Sequence, residues 1–320
     1  MIYHSQLTAT ISELYLGKRL DKILAKLFPK YSRSCLKKWI IEKRVMVNGF
    51  IIDKPKIKML HKAIIIIHPD IKEIKNVEAQ NIKLNIFYED DHLIIINKPS
   101  NMVVHPGAGN YKGTILNALI YHYPILKILP RAGIVHRLDK NTTGLMIVAK
   151  NIFIQKKLIE LIKKHNIIRE YKAIVRGVMI SGGCINKPIS RHNTKRNLMA
   201  VNPLGKDAIT HYRILKRFRY YTYICLRLET GRTHQIRVHM SYLNHPLIGD
   251  KQYHLNHNFY LNFNISAELK NKLYNFNRQA LHASTLCFNH PYSGIAMKFH
   301  APLPIDMIEL IKLLKNDMKN

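Results

Sequence analysis

Acidic side chains are scarce in this 320-residue sequence, 20 Asp plus Glu against 51 Lys plus Arg, so each carboxylate can be weighed singly as a chemical group. Asp139 stands apart. It lies in GIVHRLDKNTTGLMIVA, a polar break between two apolar runs, flanked by Arg137 and Lys140, and the nearest carboxylates along the chain are Asp91 and Glu160. Cationic neighbours favour the anionic form of a carboxylate. That suits a nucleophile or an anionic stabiliser and suits a general acid poorly. Taken alone, the same residue reads as an ordinary turn Asp with a loose salt bridge. A glycosidase or nucleosidase would want two facing carboxylates, and only Asp139 has a motif around it. The 18 histidines invite a metal reading. His234 and His239, however, sit about 140° apart on a helix and on opposite faces of a strand, and no HExxH accompanies them. No metal is expected, and His136 and His234 are expected to hydrogen-bond near the site instead. Cys35, Cys184, Cys225 and Cys287 form no CxxC. Scattered thiols of this kind fit buried small hydrophobes in a reducing cytosol.

Longer stretches around these residues carry a resemblance. GIVHRLDKNTTGL (133–145), Arg169-Glu170-Tyr171 leading into KAIVRG, and GRTHQIRVHM (231–240) resemble, in order and spacing, the catalytic, tyrosine and arginine segments of the HRLD-type pseudouridine synthases. NKPSNMVVHPGAGN (97–110), PISRHNTKRNLMA (188–200), HPLIGD (245–250) and QALHA (279–283) agree as well, so the likeness spans nearly the whole chain. The N-terminal region is similar to the S4-type RNA-binding fold.

The resemblance implies an α+β pseudouridine synthase fold, a mixed and mainly antiparallel sheet with flanking helices, behind a small S4-like domain. It implies that the N1–C1′ bond of a uridine breaks, the uracil turns, and C5 joins C1′. No atoms are lost, so no cofactor is needed, and the absence of GxGxxG, P-loop and HxE–PCxxC signatures agrees. Asp139 would attack C1′ or, as an anion, assist departure of the base. Tyr171 on its own reads as a core aromatic at a strand start; the resemblance puts it beside the base as proton acceptor, stacking partner or both. Arg237 would pair with Asp139, with Arg232 as competitor. Arg137 resembles the family arginine that takes the space of the flipped nucleotide. With Arg137, the residues His136, Arg232 and His234 form the expected RNA contacts near the site. The implied target is the loop of the intersubunit-bridge stem-loop (helix 69) of 23S rRNA, free or in the large ribosomal subunit or its precursor. An assembly factor that has lost catalysis is the rival reading, and the intact Asp, Tyr and Arg set argues against it.

The elements that must position these groups follow from pattern. Leu20, Ile23, Leu24 and Leu27 have helical spacing, ended by Pro29; Ser32 or Ser34 could cap a second helix carrying Leu36, Trp39 and Ile40. A Val45–Val47 strand, an Asn48-Gly49 turn, Ile51-Ile52 and an Ile64–Ile67 strand complete a domain over 1–68, with its core at about 16–68. Residues 17–62 hold fourteen Lys or Arg against three Asp or Glu, so a solvated face, with Arg19, Arg33, Lys37, Lys38 and Arg44 as candidates, is expected to meet phosphates. Polar residues 69–85 read as a linker, and 86–320 as the catalytic domain, with strands at Leu93–Ile96, Leu145–Val148, Ala173–Val175 and Thr222–Leu228 and a helix over Phe153–Lys164. Strands not regularly separated by helices argue for α+β. The arginine segment is expected to form a helix opened by Gly231 and Thr233, with Ile236, Met240 and Leu243 on one face.

A net charge of +31 should attract a polyanion. Nucleic acid is favoured over membrane, because apolar runs such as Ile64–Ile67 and Leu93–Ile96 fall far short of the roughly 20 residues a span needs. The opening MIYHSQLTATI lacks a signal-peptide layout. The expectation is a cytoplasmic protein, monomeric because no surplus amphipathic helix demands a partner.

Overall fold

The computed structural model describes residues 6–29, 31, 33–69, 77–107, 109–195, 197–253 and 264–318. The proposed Ser32 cap, the Ser34 side chain and residues 70–76 of the expected linker lie outside them. The chain divides into two compact units, Met1–Lys75 and Asn76–Asn320.

In the first unit, β1 (Leu7–Ile11) is followed by α1 (Leu20–Leu27), α2 (Arg33–Ile41), β2 (Val45–Val47), β3 (Phe50–Ile51) and β4 (Ala63–Ile67). The strands pair antiparallel in the order β1-β4-β2-β3. Leu20, Ile23 and Leu24 of α1 and Leu36, Trp39 and Ile40 of α2 are buried with Val45, Val47, Ile65 and Ile67 in one core. Asn48 and Gly49 have φ of 49° and 83°, the left-handed pair a two-residue hairpin requires.

The second unit runs β5 (Ile86–Glu89), β6 (Leu93–Lys98), α3 (Ile115–His122), β7 (Thr143–Ala149), α4 (Ile152–Lys163), β8 (Ile168–Arg176), β9 (Gly183–Asn186), β10 (Ile189–Arg191) and β11 (Met199–Val201). It continues with β12 (Ile209–Arg217), β13 (Tyr221–Leu228), α5 (Gln235–Tyr242), α6 (Ala267–Tyr274), β14 (Leu281–Asn289), β15 (Ala296–His300) and α7 (Ile305–Asn316). Among the described residues, nine strands form one sheet ordered β5-β6-β7-β14-β8-β13-β12-β9, with β15 on β14, while β10 and β11 form a separate hairpin. Every pairing in the large sheet is antiparallel except β7 with β14. The fold is therefore α+β with a mixed sheet.

Residues 77–85 have no regular structure, yet they pack on this unit. Val77 and Leu84 lie against its main core. Asn117 Nδ2 donates to the Glu78 carbonyl at 2.8 Å, and Gln80 Oε1 accepts the Gly113 N–H at 2.7 Å. All four cysteines are free thiols, but only Cys225 is buried as expected; Cys184, on the edge strand β9, is exposed. No helix among the described residues is long and apolar enough to cross a membrane.

The parallel contact of β7 with β14 covers only His282↔Thr143 and Ala283↔Gly144. Gly144 is required there: its φ is 113° and a Cβ would collide with the Ala283 backbone. Beyond this contact, residues 134–136 run alongside β7. Ile134 bridges Val148, and His136 Nε2 accepts the Ile147 N–H at 2.9 Å. The chain then emerges at Asp139 on the rim of a cleft.

Candidate active site

Asp139 sits in a tight turn closed by Thr142 N–H on its own carbonyl at 3.1 Å. Beneath the turn, Lys98, at the end of β6, is fully buried. Its Nζ donates to the carbonyls of Pro99, Met102 and Lys140 at 2.7, 2.9 and 2.9 Å. Burial pushes this ammonium down to about 7, opposed by the charge of Asp139.

Arg237, on the first turn of α5, reaches Asp139 Oδ2 through Nη1 at 3.2 Å. Its bidentate edge goes elsewhere: Nε and Nη2 hold the two oxygens of Asp250 at 2.6 and 2.9 Å, and Nη2 also donates to Gln252 Oε1 at 2.7 Å. Asp250 in turn accepts the backbone N–H groups of Gln252 and Tyr253. Burial works against the guanidinium's charge, but the bonds to Asp250 and the charge of Asp139 outweigh it and raise its pKa. The Tyr253 ring lies 4.9 Å from the guanidinium carbon, so the side chain is held in plane as well as in charge. The arrangement leaves Asp139 one hydrogen bond from Arg237 and an 18% exposed carboxylate facing the cleft.

His234 precedes α5 in the left-handed region, φ 56°. The helix therefore opens at Gln235, later than Gly231 and Thr233 suggested, because Gln235 Oε1 accepts the Arg232 N–H and Thr230 Oγ1 and fixes the loop before it. His234 Nδ1 is 2.8 Å from the Tyr253 hydroxyl, whose oxygen also accepts the Met199 N–H of the β10–β11 hairpin. His234 Nε2 faces Asp139 Oδ1 at 4.0 Å. Burial lowers the pKa of this imidazole, partly offset by Asp139.

Tyr171 is buried on β8, opposite Leu226 and Ala283, and lines the same cleft. Burial raises its phenol, Arg169 opposes this, and Asp139 adds to it. The cleft holds about 1090 Å³, above the usual span of small-ligand pockets, and so has room for a nucleotide with part of its strand. Arg137 lines it as an exposed side chain. Arg232 also lines it, but its Nε is tied to the Asp207 carbonyl at 2.9 Å, so Arg237 and not Arg232 meets Asp139. His136 lines the wall, its Nε2 committed to β7. Burial, with Arg169 nearby, pushes it down to about 3.

The N-terminal candidates lie in the first unit. Arg19 and Arg33 both grip the buried Asp21, Arg19 through Nε and Nη2 at 3.0 Å and Arg33 through Nη2 at 2.6 Å. Lys37 and Lys38 are exposed, Lys38 with Glu42 at 3.5 Å, and Arg44 is 3.9 Å from the same Glu42.

Sequence reasoning assigned no role to Asp250, Lys98 or Tyr253, of which only Asp250 and Lys98 fall inside the motifs that carry the resemblance. The one available signal was a carboxylate following Gly249 in a chain poor in acid. Among the described residues, no group of three or more His, Cys, Asp or Glu could hold a metal ion. What remains at the centre of the site is a partly exposed carboxylate, a guanidinium fixed behind it, and a buried phenol, in a cleft whose lining carries more Arg and Lys than Asp and Glu.

That fold and that site are those of an RNA-modifying isomerase, and the chain belongs to the RNA pseudouridylate synthase family, whose model matches residues 92–242. An S4 domain matches residues 18–60. The chain is 53% identical to ribosomal large subunit pseudouridine synthase D of Escherichia coli (strain K12), over 100% of this chain and 97% of that protein. It is 50% identical to the protein of the same name from Vibrio cholerae serotype O1, over 100% and 98%. Among solved structures it is similar to human RNA pseudouridylate synthase domain containing 4, with a TM-score of 0.56 and 26% identity over 72% of this chain and 93% of that one.

Proposed function

We propose that this pseudouridine synthase acts on 23S rRNA, at uridines in the loop of helix 69, free or within the large subunit or its precursor. The Asp139–Arg237 pair at the mouth of the cleft carries the reading, and the relatives' shared name supports the rRNA class. The target uridine is flipped into the cleft while Arg137 fills the gap it leaves. Asp139 then attacks C1′, or stabilises the cationic sugar as uracil departs. After the base turns, C5 bonds to C1′, the C5 proton is lost, and N1, which kept the electron pair of the broken bond, takes up a proton. Tyr171, beside the ring, stacks on it or takes that proton. Arg237 holds the carboxylate in place. The first unit adds a basic grip on the RNA backbone through Arg19, Arg33, Lys37, Lys38 and Arg44, and the protein works in the cytoplasm as a monomer without metal or cofactor.

The test is to incubate the protein with unmodified 23S rRNA and map pseudouridine by carbodiimide-dependent reverse-transcription stops. Stops confined to the helix 69 loop, and absent with Asp139→Asn while RNA affinity stays within about threefold, are the expected result. Turnover by Asp139→Asn would sink the assignment of the carboxylate. Stops elsewhere would change the substrate.

A further inference from the structure

Five arginines line the cleft around Asp139, and three are already held by protein acceptors. Arg169 donates to the Glu229 carbonyl, Arg232 to the Asp207 carbonyl, and Arg237 to Asp139 and Asp250. The guanidinium groups of Arg131 and Arg137 make no hydrogen bond or ion pair among the described residues, and both side chains are exposed. Their shared neighbour is His105, whose Nε2 is buried with no hydrogen-bond partner among the described residues. The charges of both arginines act on His105, and together with burial, the larger effect, they hold it neutral.

The backbone under Arg131 is unusual. Arg131 (φ 54°, ψ 33°) and Ala132 (φ 50°, ψ 43°) are consecutive non-glycine residues in the left-handed region, followed by Gly133 at φ 77°. Such conformations are costly and persist only where the surroundings enforce them. Here they do. Ala132 is fully buried, and a Cβ on Gly133 would collide with the Ala149 carbonyl. Ala132 N–H bonds Leu129 O at 3.0 Å, and Gln155 Nε2 bonds Pro130 O at 2.7 Å. A strained turn is thus clamped from beneath while it presents a free guanidinium on the cleft wall.

Two exposed guanidinium groups without protein partners among the described residues, on one cleft, call for an anion with several acceptor oxygens. We propose that Arg131 forms a phosphodiester subsite, gripping the RNA backbone beside the nucleotide whose base reaches Asp139. Arg131 meets two phosphate oxygens side by side, the neutral His105 walls the subsite without adding charge, and the nearby charge of Arg137 adds to the field. The inference rests on the reading of the cleft as an RNA site; it names which group of the RNA this wall holds.

The experiment uses the full-length protein and a helix 69 stem-loop bearing one methylphosphonate, which is uncharged, at each phosphate in turn across the loop. Arg131→Ala is expected to weaken binding about tenfold and to lower the slope of log K against log salt by about 0.7. Turnover at saturating RNA should stay within about twofold. One methylphosphonate should weaken binding to the unaltered protein by a similar factor and cost Arg131→Ala nothing further. Arg131→Lys should keep the salt slope and lose most of the affinity that bidentate pairing provides. Additive losses at every phosphate, or an unchanged affinity of Arg131→Ala, would overturn the subsite. Coupling without any pseudouridine product would sustain the subsite and overturn the catalytic reading alone.

Discussion

One guanidinium between two carboxylates sets the character of the site at the scale of residues. Asp250, 1% exposed, takes the bidentate edge of Arg237, and Asp139 receives a single bond at 3.2 Å. Were Arg237 free to turn, its fork could pair with Asp139 and occupy both of the oxygens that the proposed mechanism presents to the sugar. Asp250 therefore serves as a positioning residue, acting through Arg237. Asp250→Asn keeps the shape and removes the charge, leaving Arg237 short of a partner. Single-turnover rates should fall at least about tenfold, while RNA affinity changes about threefold or less; a loss of affinity at unchanged rate would place Asp250 in binding instead. The two ends of this network were not equally legible. Asp139 and Arg237 sit in long motifs whose order could be matched. Asp250 ends the HPLIGD motif, yet its role is invisible there, because its partner comes from a helix separated from it by a turn of chain. Lys98 escaped for a similar reason: a lysine at a strand end reads as surface until three carbonyls close around it.

At the scale of elements, β7 and the segment beside it decide where Asp139 emerges. β14 leaves β7 after two residue pairs, and His136 then completes the hydrogen bonding of β7 as an acceptor through Nε2. An acceptor imidazole must be neutral. Burial pushes His136 down to about 3, and burial likewise pushes His105 and His282 down to about 4. Each lies below the ordinary histidine value of 6.5, so on acidification the unfolded chain takes up protons that the folded chain refuses. The stability these groups contribute is complete above pH 6.5 and is lost as pH falls toward 4. Urea unfolding between pH 7.5 and 4.5 should show this decline, and His136→Gln, which retains a neutral acceptor, should flatten it. An identical decline in that variant would mean that acid acts elsewhere. The helix at Leu20–Leu27 and the Asn48-Gly49 hairpin were readable from local spacing. The β7–β14 pairing was not, since it joins residues about 139 positions apart and no local pattern encodes it. The late start of α5 escaped for a physical reason too: the left-handed His234 is held by its contact with Tyr253, and the loop before it by the bond from Arg232 N–H to Gln235, neither of which local spacing encodes.

At the scale of the whole molecule, charge and division into units bear on how RNA is held. The first unit has its own core and concentrates fourteen Lys or Arg in residues 17–62, although Arg19 and Arg33 spend part of their charge on Asp21. Residues 77–85 belong structurally to the second unit, through Val77, Glu78, Gln80 and Leu84, so a cut inside that stretch would remove packing and hydrogen bonds from the catalytic core. A chain beginning at residue 77 keeps them. It should fold, and it should bind the stem-loop more weakly. Each phosphate that is no longer neutralised should take about 0.7 to 0.9 from the slope of log K against log salt, so a grip by the first unit through two or more cations predicts a fall of at least about 1.4. Turnover at saturating RNA and low salt should persist, because Asp139, Tyr171 and Arg237 all lie in what remains. Titrations at several salt concentrations distinguish the cases. A reduced slope with retained turnover assigns the first unit to phosphate binding. An unchanged slope would mean that the cleft holds the phosphates by itself and that the basic face of the first unit meets something other than this RNA.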